Sequence, residues 1–206
     1  NFERLKIRKI GTMNNTHYEI LETARKLFAA KGFSNVTMND IAEASNKGRR
    51  TLYMYFKSKE DIYWNLIESE ANHFLDTLEF VAHQNLPPAK KLFKFIITRM
   101  EAMLIIVNRN GTIKAHFFND AQKITKVRVR IDQKEHQIIK NILDEGVKKG
   151  DFEIDNTNII ATVMQNSLKG TEVPYNRKRS RNELVRQQES IFNFIFKGIS
   201  PLNKKE

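Results

Sequence analysis

The sequence predicts an all-α fold. Apolar residues recur every three or four positions in one segment after another, which is the spacing of a buried helix face, and no stretch alternates as a strand would. Gly and Pro are scarce, at 8 and 4 residues of 206, and this favours long helices over a sheet with many turns. The hydrophobic fraction of 40% is enough for an ordinary globular core.

The first helix is predicted over Thr16–Lys31. One face of it carries the apolar residues Ile20, Leu21, Ala24, Leu27 and Phe28. Gly32 is expected to end this helix, because glycine adopts the conformation that closes a helix most readily. Thr37 is expected to begin the second helix as its N-cap, with the side-chain oxygen accepting a hydrogen bond from the amide of Asp40.

A tight turn and a third helix follow. Asn46 lies where the second helix ends and the chain reverses, and asparagine tolerates the left-handed conformation better than most residues. Gly48 is expected to cap the third helix, which directs Leu52 and Phe56 inward because residues at i and i+4 share a face. The outer face of this helix carries Arg49, Arg50, Thr51, Tyr53 and Tyr55.

A long fourth helix is predicted from Ser58 to about Gln84. The sequence S-K-E-D resembles a capping box with Asp61 in the place of the usual Glu, and the helix would span about 39 Å. Pro87-Pro88 is expected to end the connection and start the next helix. The remaining helical runs are predicted at Lys90–Asn108, Ile113–Lys123, Lys126–Lys149, Thr157–Leu168 and Asn182–Gly198.

Positive charge is concentrated near the second and third helices. The net charge is +11, and residues 1–62 contribute +5 of it in less than a third of the chain. Residues 44–59 contain five cations and no carboxylate. Cationic side chains interleaved with Thr51, Tyr53 and Tyr55 suit an element that lies against phosphate and reaches base edges. The sequence therefore predicts a DNA-binding module, whereas the later cluster at 177–181 is interpreted as a solvated loop.

Several classes of function are excluded by what the sequence lacks. There is no cysteine, which excludes disulfides and Cys-ligated metals. No apolar run approaches about 18 residues, so no membrane partner is expected, and without a secretory signal the cytoplasm is the expected location. The only Glu-x-x-His, at Glu70–His73, cannot make a di-iron site by itself. We therefore predict a protein that is not an enzyme, with no catalytic residue, no metal and no cofactor.

Three ordered motifs carry a family resemblance. The segments ILETARKLFAAKGF, TMNDIAEAS and TLYMYFKSKED resemble the DNA-binding domain of TetR (tetracycline-repressor-type) regulators, and GDFEID at 150–155 is similar to a landmark in their regulatory half. The resemblance implies an N-terminal three-helix helix-turn-helix DNA-binding domain followed by a larger C-terminal helical bundle for dimerisation and ligand sensing. The expected divisions are an N-terminal extension at 1–15, the DNA-binding domain at 16–62 and the regulatory domain at 63–206.

The resemblance also implies roles for individual residues. Phosphate contacts are expected from Thr37, Tyr55 and Lys59. Positions facing the major groove are expected for Arg49, Arg50, Thr51 and Tyr53. Arginine suits guanine O6 and N7, and the thymine methyl can lie against Thr51 or Tyr53, although Tyr53 could instead pack against the first helix. Lys47 stands where family members often have an apolar residue, and we expect it to add a phosphate contact.

The second half of the chain is expected to bind a second copy. One apolar stripe comprises Ile159, Ile160, Val163, Met164 and Leu168. A second comprises Val185, Ile191, Phe192, Ile195, Phe196 and Ile199. Two such helices from each subunit would form the interface of a homodimer, although both stripes could instead be used in the core of one chain. Recognition helices about 34–36 Å apart would then read a palindromic operator in double-stranded DNA.

A small-molecule effector is the remaining expected partner. Aromatic residues and methionines between 62 and 149, with His116 as a polar group, could line a cavity or simply form the core, so no ligand residues are nominated. The predicted function is a repressor that a small molecule releases from its operator. The alternative is a DNA-binding protein of the same fold with no inducer, acting in chromosome organisation or through a protein partner. Arg4, Lys6, Arg8 and Lys9 are interpreted as either a minor-groove arm or a mobile extension.

Overall fold

The computed structural model confirms the all-α prediction. It describes residues 15–110 and 121–170, together with 190, 193 and 196–199, and within these residues there is no strand. The helices are α1 (Asn15–Lys31), α2 (Met38–Ala44), α3 (Arg49–Tyr55), α4 (Lys59–Ala82), α5 (Pro88–Asn110), α6 (Ala121–Lys149) and α7 (Thr157–Gly170). A short 3₁₀ turn, Phe33–Asn35, lies between α1 and α2.

The predicted limits of the helices up to α5 agree with the structure to within two residues, and those of α6 do not. The fifth helix begins at Pro88 as expected, since the missing N–H of proline is no loss at a first helical position. A break predicted between Lys123 and Lys126 does not exist, because α6 runs through both residues. The predicted helix over Asn182–Gly198 and most of the one over Ile113–Lys123 lie outside the described residues.

The chain forms two compact units. The first extends to Glu70, and the second contains Ala71–Val107 and the residues from Gln122 onward. The division falls within α4, a few residues beyond the predicted boundary at residue 62, which stays a prediction. In the first unit α1, α2, α3 and the start of α4 enclose a small core. Its fully buried residues are Ile20, Ala24, Phe28, Val36, Ile41, Leu52 and Ile62.

The second unit has the larger apolar core. It draws buried residues from the later part of α4 and from α5, α6 and α7, and Ile199 joins them. The largest fully buried members are Leu78, Leu92, Phe95, Ile96, Met100 and Ile139. The ion pair between Arg99 and Glu135 is buried in this unit. Arg99 Nε donates to Glu135 Oε1, and both residues are no more than 2% exposed. Removing one member of such a pair costs about 3–5 kcal/mol, because the other charge remains buried.

The single apolar stripe predicted on α7 is wrong, because α7 has two apolar faces. Met164 and Leu168 are buried in the core. Ile159 and Val163 are more than half exposed. Val163 directly precedes Met164, and one position rotates a side chain by about 100° around the helix axis. Ile159 lies four residues before Val163 and shares its face. From the second predicted stripe, Phe196 and Ile199 pack on the core, and its other members lie outside the described residues. So do His116, the 177–181 cluster and the N-terminal cations.

No helix among the described residues is both long enough and apolar enough to cross a membrane.

The segment GDFEID ends α6 and folds back against its last turn. Gly150 has a φ of 76°, a conformation that favours glycine, and the amides of Asp151 and Phe152 donate to the carbonyl of Gly146. The ring of Phe152 is 3% exposed and lies directly over Gly146. A Cβ on Gly146 would lie 2.0 Å from Phe152 Cδ2, so any side chain there would displace the ring.

We expect Gly146→Ala to lower the free energy of unfolding by about 1–3 kcal/mol, because the added methyl overpacks a filled site. Urea denaturation followed by circular dichroism measures the change. Gly170→Ala is the matched control, since nothing lies within 4 Å of its Cβ position, and its effect should stay within about 0.5 kcal/mol. Equal stability of the two variants would show that the Phe152 ring can move at little cost.

Candidate nucleic-acid interface

The start of α2 is fixed by a reciprocal pair of hydrogen bonds. Thr37 Oγ1 accepts from the amide of Asp40 at 3.1 Å, and Asp40 Oδ2 accepts from the amide of Thr37 at 2.7 Å. Hydrogen bonds from the hydroxyl and backbone of Thr37 lower the pKa of Asp40. The predicted cap is therefore confirmed, and it takes the form of a capping box. This places Thr37 at the N-terminus of α2, where free backbone N–H groups favour anions.

The turn between α2 and α3 depends on Asn46. Its φ is 53°, so the expectation that it adopts the left-handed conformation is confirmed. The next residue is also held in place, because the amide of Lys47 donates to Ala42 O at 3.0 Å. Lys47 Nζ lies 2.8 Å from Glu19 Oε2, which ties the turn to α1. The ammonium of Lys47 keeps further N–H donors beyond this ion pair.

The two sides of α3 differ sharply in burial. Leu52 and Phe56 face inward and are at most 1% exposed. Arg49 and Arg50 are exposed. Tyr53 is 55% exposed, so the alternative in which it mainly packs against α1 does not fit. Thr51 and Tyr55 are half-buried, and their spacing of four residues places both on the same edge of the exposed face.

Sequence reasoning missed Met54, which at 76% is the most exposed large apolar side chain among the described residues of this unit. It lies four residues after Arg50 and three after Thr51, so helical spacing places it on the same side as both. That spacing was a signal available in the sequence. The exposed face of α3 therefore combines two guanidinium groups with an apolar side chain and a phenol.

His17 of α1 supports the end of α3. Its ring centroid lies 4.7 Å from that of Phe56 and 6.1 Å from that of Tyr55. Its Nδ1 is buried and has no hydrogen-bond partner among the described residues. Burial lowers the pKa of His17 below its ordinary value of 6.5, and the charge of Asp61 offsets part of this effect. The neutral ring is thus the form that fits this position.

The start of α4 departs in one detail from the predicted capping box. Ser58 Oγ accepts from the amide of Asp61 at 3.2 Å, as the box requires. The carboxylate of Asp61 instead accepts from the amide of Lys57, one residue before Ser58, at 2.9 Å. These two bonds fasten the short connection between α3 and α4. They leave the Lys57 side chain exposed.

Lys59, the first residue of α4, has partners that the sequence did not indicate. Its Nζ donates to the carbonyl oxygens of Phe33 at 3.0 Å, Ser34 at 3.3 Å and Val36 at 2.9 Å. It also lies 4.7 Å from the centroid of the Phe33 ring. The Phe33 ring packs against Tyr63, and burial raises the pKa of Tyr63 to about 12. The expected phosphate contact of Lys59 stays a prediction.

The five cations of residues 44–59 thus fall into two groups. Lys47 and Lys59 have intramolecular partners. Within the described part of the chain, Arg49, Arg50 and Lys57 are exposed and form no ion pair. No group of three potential metal ligands occurs among the described residues. An exposed cationic helix face without carboxylates suits a polyanion.

Family profiles match both parts of the chain. The profile described as "Bacterial regulatory proteins, tetR family" matches residues 20–64. The profile described as "QacR-like protein, C-terminal region" matches residues 113–201. Together they account for more than half of the sequence, and the first contains the whole of α2 and α3.

The chain belongs to the TetR family of bacterial transcriptional regulators.

Relatives that match along nearly their whole length are also regulators. This TetR-family chain is 20% identical over 189 residues to the HTH-type transcriptional regulator QacR of Staphylococcus aureus, covering 90% of this chain and 99% of that protein. It is 22% identical over 196 residues to the fatty acid metabolism regulator protein of Bacillus subtilis, covering 89% and 95%. Both relatives are regulators.

Two solved structures of regulators are similar in fold to this chain. A transcriptional regulator from Cytophaga hutchinsonii superposes with a TM-score of 0.75 at 22% identity, covering 91% of this chain and 100% of that one. A TetR/AcrR-family regulator from Thermobifida fusca gives a TM-score of 0.70 at 22% identity, covering 90% and 98%. The helix-turn-helix formed by α2 and α3 is thus the expected DNA-binding element of the family.

We expect the first unit of this TetR-family regulator to lose stability as the pH is lowered below about 6.5. The pKa of His17 is depressed in the folded state, so the unfolded chain takes up a proton first, and the loss continues until the pH passes the folded pKa. Thermal unfolding followed by the fluorescence of Trp64, the single tryptophan, measures it between pH 7.5 and 5. His17→Phe should flatten this dependence, and His73→Gln, at an exposed position, should not. A wild-type stability that does not change between pH 7.5 and 5 would contradict the lowered pKa of His17.

Proposed function

We propose that the protein is a sequence-specific repressor that binds a palindromic operator as a dimer and is released from it by a small-molecule ligand. The observation that carries the proposal is that α3 is buried on one side and exposed on the other. Leu52 and Phe56 anchor the helix from behind, while Arg49 and Arg50 face solvent with no carboxylate beside them. A rigidly backed helix of this kind can enter the major groove.

The proposed contacts follow from where each side chain lies. Arg49 and Arg50 would donate to guanine O6 and N7, and Thr51 and Tyr53 would lie against thymine methyl groups, as would the exposed Met54. Contacts with the phosphate backbone are proposed for Thr37, Lys47 and Tyr55. Lys59 belongs to the same interface, although its ammonium already has three carbonyl partners.

The dimer interface is proposed to include the outer face of α7. Ile159 and Val163 lie one helical turn apart and are more than half exposed there. Exposed aliphatic side chains at this spacing suit an isologous contact, in which each residue meets a symmetry-related surface. The two-fold symmetry of the dimer would place two recognition helices about 34–36 Å apart, which matches the spacing of successive major grooves.

Release by a ligand is proposed as a shift between two populations. A ligand that prefers the conformation with separated recognition helices would lower operator affinity, and one with equal affinity for both states would have no effect. An open groove of about 480 Å³ between α4 and α6 lies among the described residues. We assign no ligand to it, because its carboxylates at Glu79 and Glu145 are already paired with Lys134 and Lys91. A thermal-shift screen without stabilisation by any lipophilic compound would favour the regulator without an inducer.

We expect Arg49→Ala/Arg50→Ala to bind all sequences about equally, because it removes the base contacts and leaves the proposed phosphate contacts. Each lost bidentate contact should reduce discrimination by about 1–3 kcal/mol. Selection of bound duplexes from a random pool, followed by titration at several salt concentrations, supplies the operator and the affinities. Lys148→Ala, an exposed cation on α6, is the charge control and should keep full discrimination. A wild-type protein that enriches no palindrome would overturn the proposed function.

We expect Val163→Glu to convert the dimer to monomers, because two buried carboxylates would face each other across the symmetry axis. Sedimentation velocity at micromolar concentration measures the oligomeric state, and operator affinity should fall at least tenfold. Val147→Glu places the same charge at a 38% exposed valine on α6 and should leave the dimer intact. A dimeric Val163→Glu variant would exclude this face of α7 from the interface.

A further inference from the structure

The ammonium of Lys59 has a complete set of hydrogen-bond partners within the chain. A lysine ammonium carries three N–H donors and no acceptor. Three carbonyl oxygens lie within 3.3 Å of Lys59 Nζ, and the Phe33 ring lies beside it at 4.7 Å. A cation near an aromatic ring gains further electrostatic stabilisation. A phosphate that took one of these donors would replace a carbonyl oxygen already bonded to Lys59 Nζ.

The turn that Lys59 binds has weak hydrogen bonds of its own. The amide of Asn35 donates to Gly32 O at 3.3 Å, and that of Val36 donates to Phe33 O at 3.4 Å, both near the long limit for such bonds. The bond from Lys59 Nζ to Val36 O is shorter than either, at 2.9 Å. The ammonium is therefore a stronger hydrogen-bonding partner of this turn than these two backbone amides, because charged donors bind about twice as strongly as neutral ones.

The position of the turn decides where α2 begins. Val36 is fully buried and immediately precedes Thr37, the N-cap of α2. Lys59 is the first residue of α4, and the chain enters it directly from α3 through the Lys57–Asp61 and Ser58–Asp61 hydrogen bonds. The first turn of α4 is thus fastened to the exit of α3 on one side and to the entry of α2 on the other.

We propose that Lys59 is a positioning residue for the DNA interface. Its ammonium holds the α1–α2 turn against the start of α4, and so fixes the N-terminus of α2 and Thr37 relative to α3, without contacting phosphate itself. The inference rests on the proposed DNA-binding function, because the position of Thr37 matters only if α2 and α3 meet the same duplex.

Salt dependence separates this role from a phosphate contact. Each cation that neutralises a phosphate adds about 0.9 to the slope of log affinity against log salt concentration. Lys59→Ala should therefore lower operator affinity at least tenfold at every salt concentration and leave the slope as in the wild type. Lys57→Ala, the same charge change two residues away on an exposed side chain, is the matched control for the general field of the protein.

Lys59→Arg supplies a second comparison, because it keeps the charge but replaces a compact ammonium with a planar guanidinium. Three carbonyls arranged around one nitrogen do not suit a planar fork, so the arginine variant should recover no more than a small part of the affinity. A phosphate contact would be recovered almost fully by arginine, which binds phosphate well.

Amide hydrogen exchange without DNA tests the structural half of the proposal. Exchange at Asn35, Val36 and Thr37 should become at least tenfold faster in Lys59→Ala, while exchange at Leu52 and Phe56 should not change. Faster exchange throughout the unit would mean that the variant is merely unstable, and would overturn the specific role. A slope lowered by about 0.9 with unchanged exchange would overturn it in favour of a phosphate contact.

These measurements also keep the two proposals apart. If the wild-type protein selects no sequence, the proposed repressor function fails, and the role of Lys59 in DNA binding fails with it. Exchange then still reports whether Lys59 holds the turn. If the wild type selects an operator and Lys59→Ala binds it with unchanged affinity, only the positioning role is wrong.

Discussion

The burial of one face of α3 is the constraint on which the first unit depends. A helix of seven residues is too short to be stable alone in water. Leu52 and Phe56 pack into the core and hold α3 in place, and their burial fixes which side of the helix is exposed to solvent. The packing of Leu52 and Phe56 therefore determines which side chains of α3 are exposed to solvent. A change in that packing would rotate the exposed face.

The five cationic side chains of residues 44–59 serve two different purposes. Lys47 and Lys59 join segments of the chain, one through a carboxylate on α1 and the other through three backbone carbonyls. Arg49, Arg50 and Lys57 are exposed. Composition cannot separate these groups, because all five cations lie within sixteen residues. The surface available to a polyanion is consequently smaller, and more confined to α3, than the local charge alone indicates.

Local chemistry could be predicted from the sequence, and contacts distant along the chain could not. The Thr37–Asp40 box and the left-handed Asn46 depend on residues within a few positions, so their spacing was informative. The carbonyls on Lys59 lie 23 to 26 residues away, and Glu135 lies 36 residues from Arg99. The single stripe predicted on α7 combines two faces, because Val163 directly precedes Met164 and periodicity does not reveal which side of a helix meets a core.

The buried Arg99–Glu135 pair has a consequence for how the second unit reaches a single arrangement. Most side chains in this core are aliphatic and can substitute for one another, so many alignments of α5 against α6 would bury similar area. We infer that only the native alignment brings the two opposite charges together. Sliding α6 by one turn would leave a carboxylate in an apolar layer, and several kcal/mol would oppose it. The pair therefore selects the register more than it adds to stability.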